Sequence, residues 1–358
     1  MKTFTTLAAI LLTATVLGCG GGGGGGSDNP SNPVTTNSYV VSTLALVGNS
    51  LNALKGISID PQGNLYVADS GANLIRKIAN VNTSPIVSTV LGGGSTSYSS
   101  CLNSVLASPY AIVMDSASHM YVAELNKAAI RYADCTASTT FSQEYGSVNV
   151  TGLTLSTPSG VALFSNTLYV SDTGNDKIRT ITDNGSHAGT TSTLAGTTGG
   201  YVNAAAGASA FARPTGIAVD SSGRVFVADT DNCAIRVIAS GQVSTFAGAG
   251  PNNLGTGPVA CGSSDGAGTA ARFDHPTGIA IDANNNVYVA DSANNKIRLI
   301  TPLGVVTTIA GTGVSGATDG TGSSATFNAP TGITIDASGN LFVVDSGSNT
   351  IRKITVPQ

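Results

Sequence analysis

The stretch "PTGIAIDANNNVYVADSANNKIRLI", from Pro276 to Ile300, contains three short apolar segments separated by turn residues. Its second segment ends in an acid, and an arginine follows seven residues later. Short segments rich in valine and isoleucine, bounded by Asp, Asn or Gly, predict β-strands joined by tight turns. A further segment, "VTTIAG" from Val306, predicts a fourth strand. The stretch therefore predicts a unit of four antiparallel strands.

This unit occurs six times along the chain, with a period of about 50 residues. Four-stranded β units repeated in this way predict an all-β fold, a six-bladed β-propeller with four antiparallel strands per blade. An acid and an arginine at a constant interval mark every copy. The six pairs are Asp69 and Arg76, Glu124 and Arg131, Asp172 and Arg179, Asp229 and Arg236, Asp291 and Arg298, and Asp345 and Arg352.

The two ends of the repeat array are each incomplete. The last copy reaches Gln358 soon after its third strand, so its outer strand is missing from the C-terminal side. Near the start, "YVVSTLALVG" from Tyr39 to Gly48 reads as a fourth strand with no blade before it. We expect this N-terminal strand to close the last blade, which also pairs a strand edge that would otherwise be open.

The repeated pattern of "PxGIAVD", "VYVAD", "NxIRxI" and "VSTxAG" resembles the NHL repeat. The loops "DGAGTAARFDHPTGI" (Asp265 to Ile279) and "DGTGSSATFNAPTGI" (Asp319 to Ile333) are similar to those of teneurin-type NHL propellers. The resemblance implies one propeller domain over residues 38–358. It says little about activity, because NHL-like propellers include enzymes, RNA-binding proteins and adhesion modules.

The N-terminus has the features of an export signal. An apolar run from Phe4 to Leu17 is too short to span a bilayer, and small residues precede Cys19. This segment resembles a bacterial lipoprotein signal, which implies removal of residues 1–18 and lipidation of Cys19; an ordinary signal peptide is the alternative. Residues 19–37, rich in Gly, Ser, Asn and Pro, predict a flexible tether. Gly20, in place of an aspartate, implies by resemblance the outer membrane.

The charge of the chain limits its partners. The sequence has 20 acidic and 16 basic residues and a formal net charge of −4. A weakly acidic surface does not attract a polyanion, which argues against nucleic acid as a partner. We expect a monomer that touches the membrane only through the Cys19 lipid. Its partner would be a protein, a glycan or a small molecule on the face formed by the long loops.

Four cysteines remain beside Cys19, and an even number in an exported protein predicts two disulfides. Three pairings are possible. The two local pairings are Cys233 with Cys261 and Cys101 with Cys135.

The six acid and arginine pairs have two interpretations. In a hairpin, residues seven apart across the turn lie on the same face, so opposite charges can meet and secure the top of each blade. The alternative is a cation site formed by acids that converge near the axis. Six adjacent arginines would cancel much of that field, so we favour the structural role.

Histidines and acidic loops are the remaining candidates for metal binding. His119, His187 and His275 fall in turns on opposite faces of the propeller, so they cannot share one metal ion. This disfavours the peptide-amidating lyases, which resemble NHL propellers and need several zinc-binding histidines. The sequence predicts no metal or other cofactor. Calcium in the two "DG" loops is the alternative, although each loop offers few ligands.

Blades one and two depart from the repeat, and such departures are typical of functional positions. Most blades have Thr or Ser after the residue that begins the first strand, whereas these two have Lys55 and Tyr110. Blade two also has Glu124 in place of Asp, with Asn126 in the turn that follows. These four residues are candidates for a ligand-binding pocket near the axis. Drift of a degenerate repeat is the alternative.

Two classes of function compete. We expect a binding or protein-interaction module anchored to the envelope, without catalysis, because no nucleophile motif or metal-ligand set is present in the sequence. The alternative is a hydrolase similar to the calcium-dependent gluconolactonase-like propellers, which hold their metal with acid and amide side chains. Glu124, Asn126 and Lys55 would be its incomplete site. RNA binding, as in some NHL proteins of animals, conflicts with export and with the negative charge.

Overall fold

The computed structural model of the chain describes residues 39–48, 50–94, 101–135, 141–145, 154–182, 190–250 and 261–356. These residues form six β-sheets. The innermost strand of each sheet contacts that of the next, and the sixth contacts the first. The chain is therefore a six-bladed β-propeller, as the sequence predicts. The predicted signal segment, Cys19 and the tether lie outside the described residues. Within the described ranges, no helix has the length and apolarity needed to cross a membrane.

Each blade is an antiparallel sheet of four main strands, and four blades carry a fifth, two-residue strand at the outer edge. Single turns of 3-10 helix occupy Cys101–Asn103, Thr173–Asn175, Ala206–Ala208, Thr230–Asn232 and Gly268–Ala270. In chain order the strands are β1 (Val40–Thr43) in blade six; β2 (Val47–Gly48), β3 (Leu54–Ile59), β4 (Leu65–Asp69), β5 (Leu74–Ala79) and β6 (Ile86–Leu91) in blade one; β7 (Pro109–Met114), β8 (Met120–Glu124), β9 (Ala129–Asp134) and β10 (Phe141–Tyr145) in blade two; β11 (Gly160–Phe164), β12 (Thr167–Asp172), β13 (Lys177–Thr182) and β14 (Thr190–Ala195) in blade three; β15 (Ala204–Ala205), β16 (Pro214–Val219), β17 (Val225–Asp229), β18 (Ala234–Ala239) and β19 (Gln242–Ala247) in blade four; β20 (Gly266–Ala267), β21 (Pro276–Ile281), β22 (Val287–Asp291), β23 (Lys296–Ile300) and β24 (Val305–Ala310) in blade five; β25 (Gly320–Thr321), β26 (Pro330–Ile335), β27 (Leu341–Asp345) and β28 (Thr350–Thr355) in blade six.

The hydrophobic core lies between adjacent blades. The second strand of a blade, such as β22, is buried at all five residues because a neighbouring blade covers each of its faces. Phe226 of blade four and Val289 of blade five belong to one such cluster. Burial on both faces explains why these strands are continuous apolar runs without polar alternation.

The N-terminal segment closes the ring. β1 pairs antiparallel with β28, with Val41 opposite Ile354, and so supplies the fourth main strand of blade six. The predicted continuous strand over Tyr39–Gly48 is interrupted after Thr43, and Val47–Gly48 instead pairs in parallel with β6 of blade one. The interruption has a packing cause, since Leu44 and Leu46 pack against the core cluster between blades six and one.

Both local disulfides are formed. Cys101 and Cys135 have Cα atoms 5.9 Å apart, and the Cα atoms of Cys233 and Cys261 are 5.3 Å apart. The second bond fixes the turn that follows the acid of blade four to the long connection between blades four and five.

Candidate functional site

A central channel is enclosed by the innermost strands of all six blades and contains a cavity of about 260 Å³. At the end of the channel where these strands begin, each blade contributes one residue to the lining. This residue immediately precedes a glycine of the innermost strand or, in blade two, an alanine. We call this place the rim position. Its occupants in blades one to six are Lys55, Tyr110, Ser159, Thr215, Thr277 and Thr331.

The glycine after the rim position lets neighbouring innermost strands approach closely. A Cβ atom on Gly216 would lie 1.9 Å from the carbonyl oxygen of Thr277, and one on Gly278 would lie 2.1 Å from that of Thr331. No side chain fits at such distances. Blade two has Ala111 here. Sequence reasoning missed this role, although glycine at the same place in five of the six copies was its signal.

A hydroxyl group after the acid links most blades to the next one. The Thr230 hydroxyl lies 2.6 Å from the Thr215 hydroxyl and donates to the Pro276 carbonyl oxygen of blade five at 2.8 Å. In blade two the equivalent residue is Leu125, whose side chain cannot donate a hydrogen bond. The five hydroxyls that bond to the next blade are those of Ser70, Thr173, Thr230, Ser292 and Ser346.

A second set of hydrogen bonds between blades comes from the residue that ends the same turn, whose backbone has a positive φ angle. The Asn295 side-chain oxygen accepts a hydrogen bond from the backbone N–H of Ala329 in the next blade, at 2.8 Å. Asn73, Asp176 and Asn349 make equivalent bonds. Blade two has Ala128 at this place, and blade four has Cys233, which forms a disulfide instead. The seam between blades two and three therefore lacks the side chains for both links.

The six acids and arginines meet within every blade. Asp291 is fully buried, accepts a hydrogen bond from Arg298 Nη1 at 2.7 Å and accepts another from the backbone N–H of Asp274 at 2.8 Å. Burial raises the pKa of Asp291, although the Arg298 charge opposes that effect. The hydrogen bond from a backbone N–H to the acid is repeated in all six blades, and it fixes the segment that precedes the innermost strand. The separations between paired N and O atoms range from 2.6 to 3.3 Å.

The four candidate ligand-binding residues separate into two groups. Lys55 and Tyr110 meet at the rim, where the Lys55 ammonium lies 5.9 Å from the centre of the Tyr110 ring. Glu124 is fully buried, with Arg131 Nε at 2.6 Å and the Ala107 backbone N–H at 2.8 Å. Burial raises the pKa of Glu124 against the opposing charge of Arg131. Asn126 donates to the Ser108 hydroxyl at 2.7 Å. Glu124 and Asn126 therefore do not line the channel with Lys55.

The two described histidines belong to different blades, His119 to blade two and His275 to blade five. His119 lies beside Asp115, with 2.8 Å between ring Nδ1 and a carboxylate oxygen, and His275 lies 2.6 Å from Asp274 in the same way. His187 falls outside the described residues. Within the described ranges, Cys233, Asp274 and His275 form a cluster of metal-ligand type. The Cys233 sulfur is bonded to Cys261, so it is not available as a thiolate ligand.

The carboxylates of the two "DG" loops have structural partners. Asp265 accepts hydrogen bonds from Arg298 Nη2 at 2.8 Å and from the hydroxyl and backbone N–H of Thr308 at 2.9 and 3.1 Å. Asp319 is bonded in the same way to Arg352 and Thr43. These bonds use the oxygens that calcium would need, so the geometry gives the loops a structural role. Calcium in these loops stays the alternative to the prediction that no metal or other cofactor is bound.

Comparisons with known proteins agree with the repeat pattern. The NHL repeat family model matches residues 211–238, 273–298 and 327–354. NHL repeat-containing protein 2 of Bos taurus is 38% identical over 155 residues, which cover 40% of this chain and 20% of that protein. The chain thus spans about a fifth of the length of this relative.

Two solved structures share the fold. An auxiliary nutrient binding protein from Bacteroides ovatus superposes with a TM-score of 0.65 at 18% identity, over 89% of this chain and 77% of the other. A gluconolactonase from Xanthomonas campestris superposes with a TM-score of 0.57 at 13% identity, over 88% and 89%. At such identities the likeness shows the fold alone.

Proposed function

Because the chain is a six-bladed propeller built of NHL repeats, with an altered rim in two adjacent blades, we propose that it is a ligand-binding module of the cell envelope. The observation that carries this proposal is the meeting of Lys55 and Tyr110 at the rim. Four blades place a small hydroxyl residue there, and a small hydroxyl is enough to build the ring. A cation and a phenol at one side of a cavity supply the polar groups that orient a bound molecule.

The competing hydrolase needs acid and amide side chains to hold calcium in the channel. The described residues that line the cavity include no Asp, Glu, Asn or Gln. Glu124, the nearest sequence candidate, is bonded to Arg131 and to backbone instead. These observations support binding over hydrolysis.

The envelope location is the second part of the proposal, and it rests on the sequence of the N-terminus. Lipidation of Cys19 would tether the propeller through residues 19–37, which would leave the face formed by the long loops free to meet a ligand. Replacement of Cys19 by Ala should release the protein from the membrane fraction. Retention of the Cys19→Ala protein at the membrane would contradict this anchor.

The binding role can be tested with a library of small metabolites and thermal unfolding of the full-length protein. Compounds that bind should raise the unfolding temperature of the native protein, since a ligand that binds only the folded state stabilises it. The double variant Lys55→Thr, Tyr110→Thr restores the rim residue of blades four to six, and we expect it to lose these shifts. Lys353→Thr is the matched control: Lys353 lies 5.8 Å from the centre of the Phe342 ring but does not line the channel. The proposal would be overturned if all three proteins showed equal shifts, or if no compound raised the unfolding temperature of the native protein.

A further inference from the structure

We propose that the rim of the channel binds the carboxylate of a small organic acid whose apolar part lies inside the channel. This inference rests on the binding role proposed above and names the chemistry of its ligand. It is carried by Lys55, Tyr110, Arg213 and the aliphatic lining of the cavity.

Lys55 supplies positive charge at a cavity whose described lining residues include no acid. Its side chain is half-buried at the rim, and its described contact is with the face of the Tyr110 ring. None of the described residues that line the cavity is a carboxylate, although the chain as a whole is acidic. An ammonium group in partly desolvated surroundings attracts an anion more strongly than one in water. A bound carboxylate would supply the missing opposite charge.

Tyr110 adds a hydrogen-bond donor beside this ammonium group. Burial raises the pKa of the Tyr110 phenol, so the hydroxyl keeps its proton at neutral pH. A protonated phenol can donate to a carboxylate oxygen. The Tyr110 ring also shields one side of Lys55 from water. Together the two residues offer a charge and a directional donor, which suits one carboxylate group.

Arg213 contributes a further positive charge immediately before the innermost strand of blade four. It lies two residues before the rim position of blade four, and in a ring of six blades that blade is opposite blade one. The Arg213 guanidinium lowers the pKa of Tyr110, against the larger effect of burial, which raises it. Its described ion pair, with Asp231 at 3.8 Å, is long and exposed. The positive charges named here therefore come from two blades, Lys55 from blade one and Arg213 from blade four.

The rest of the channel selects the other part of the ligand. Beyond the rim the cavity is lined mainly by aliphatic residues, among them Val113, Leu163, Ala218 and Ala280. The rim hydroxyls of Thr215 and Thr277 are already bonded to Thr230 and Ser292. An apolar chain in this space would cover these aliphatic side chains and remove them from water. A cavity of about 260 Å³ has room for a short apolar chain.

Hexanoate is a suitable probe, with hexanol as the uncharged probe of the same length. Binding to the full-length protein would be measured by titration with ligand-detected NMR. We expect hexanoate to bind at least tenfold more tightly than hexanol. Lys55→Thr should abolish this difference, and Tyr110→Phe should weaken hexanoate binding several-fold while hexanol binding is unchanged. Lys353→Thr should leave both affinities unchanged, and equal unfolding midpoints would show that every variant is folded.

The outcomes separate this inference from the proposed function. Equal binding of the two probes, or a preference for hexanoate that survives Lys55→Thr, would overturn the carboxylate site. If library compounds still bind in a way that depends on Lys55 and Tyr110, the binding role stands and only the ligand class is wrong. If neither the library nor the probes bind, both proposals fail.

Discussion

Blades four to six and blade two share one strand plan but differ in how they contact the next blade. The seam between blades five and six has the close-packed Gly278, the Ser292 hydroxyl and the Asn295 side-chain oxygen. At the equivalent places, blade two has Ala111, Leu125 and Ala128. Apolar packing of residues such as Tyr121 and Val161 holds that seam instead.

The difference teaches where this propeller is free to vary. The acid and the arginine are present in all six blades because each is buried and an unpaired partner would be costly. The polar links between blades are redundant, so one seam can lose them while five retain the hydroxyl link. The altered rim residues, Lys55 and Tyr110, lie in blades one and two, which are neighbours, and blade two also borders that seam. Residues released from a structural role are the ones available for binding.

The largest effect should come from filling the close contact between blades five and six. We expect Gly278→Ala to lower the free energy of unfolding by about 3 kcal/mol, because its Cβ would meet a backbone carbonyl that cannot rotate away. The reverse change in blade two, Ala111→Gly, should cost less than about 1 kcal/mol. Urea denaturation measures both. Similar losses in the two variants would show that the blades do not differ in this respect.

A smaller effect should follow from removal of one hydroxyl link. Thr230→Val keeps the side-chain shape but leaves the Pro276 carbonyl oxygen without this donor, and we expect a loss of about 2 kcal/mol in unfolding free energy. Thr180→Val is the control, since its hydroxyl is bonded to Ser192 at an exposed position, and it should change stability by less than about 0.5 kcal/mol. A loss as small as that of the control would mean that the hydroxyl links do not stabilise the seams.

The smallest effect concerns pH and the carboxylate of Asp319, which joins Thr43 of β1 to Arg352 of β28. Burial would raise the pKa of Asp319, but hydrogen bonds from Thr43 and Arg352 outweigh it and lower that pKa. The stability that Asp319 contributes is therefore fully present above its unfolded pKa of about 4 and is lost as the pH falls through the lowered folded value.

Replacement of Asp319 by Asn should lower the free energy of unfolding by less than about 1 kcal/mol at pH 7, because the group is half-exposed. The difference from the native protein should become small at a pH well below the lowered folded value. Asn203 occupies the equivalent place in blade four and accepts a bond from Arg236 Nη2 at 2.7 Å. Asn203→Asp should therefore gain the same pH dependence. A difference between the native protein and the Asp319→Asn variant that is constant with pH would contradict the charge-based explanation.

Much of this fold was determined by local sequence. Strand position, hairpin turns and the number of blades could be predicted, because each depends on short-range patterns repeated six times. The closing N-terminal strand was predicted from the incomplete last copy, and the two disulfides from the even number of cysteines. Repetition turned a weak local signal into a specific architecture. The pairing of each acid with its arginine was also predictable, since residues seven apart across a short hairpin must meet.

Only the tertiary structure decided which repeated residues act between blades. The hydroxyl of Thr230 and the glycine at Gly278 look like ordinary turn and strand residues until the next blade is placed beside them, some 50 residues further along the chain. The same is true of the candidate site. Sequence grouped Lys55, Tyr110, Glu124 and Asn126, but the fold keeps only the first two at the rim. Contacts between blades depend on how six sheets pack around an axis, and no local sequence pattern specifies that packing.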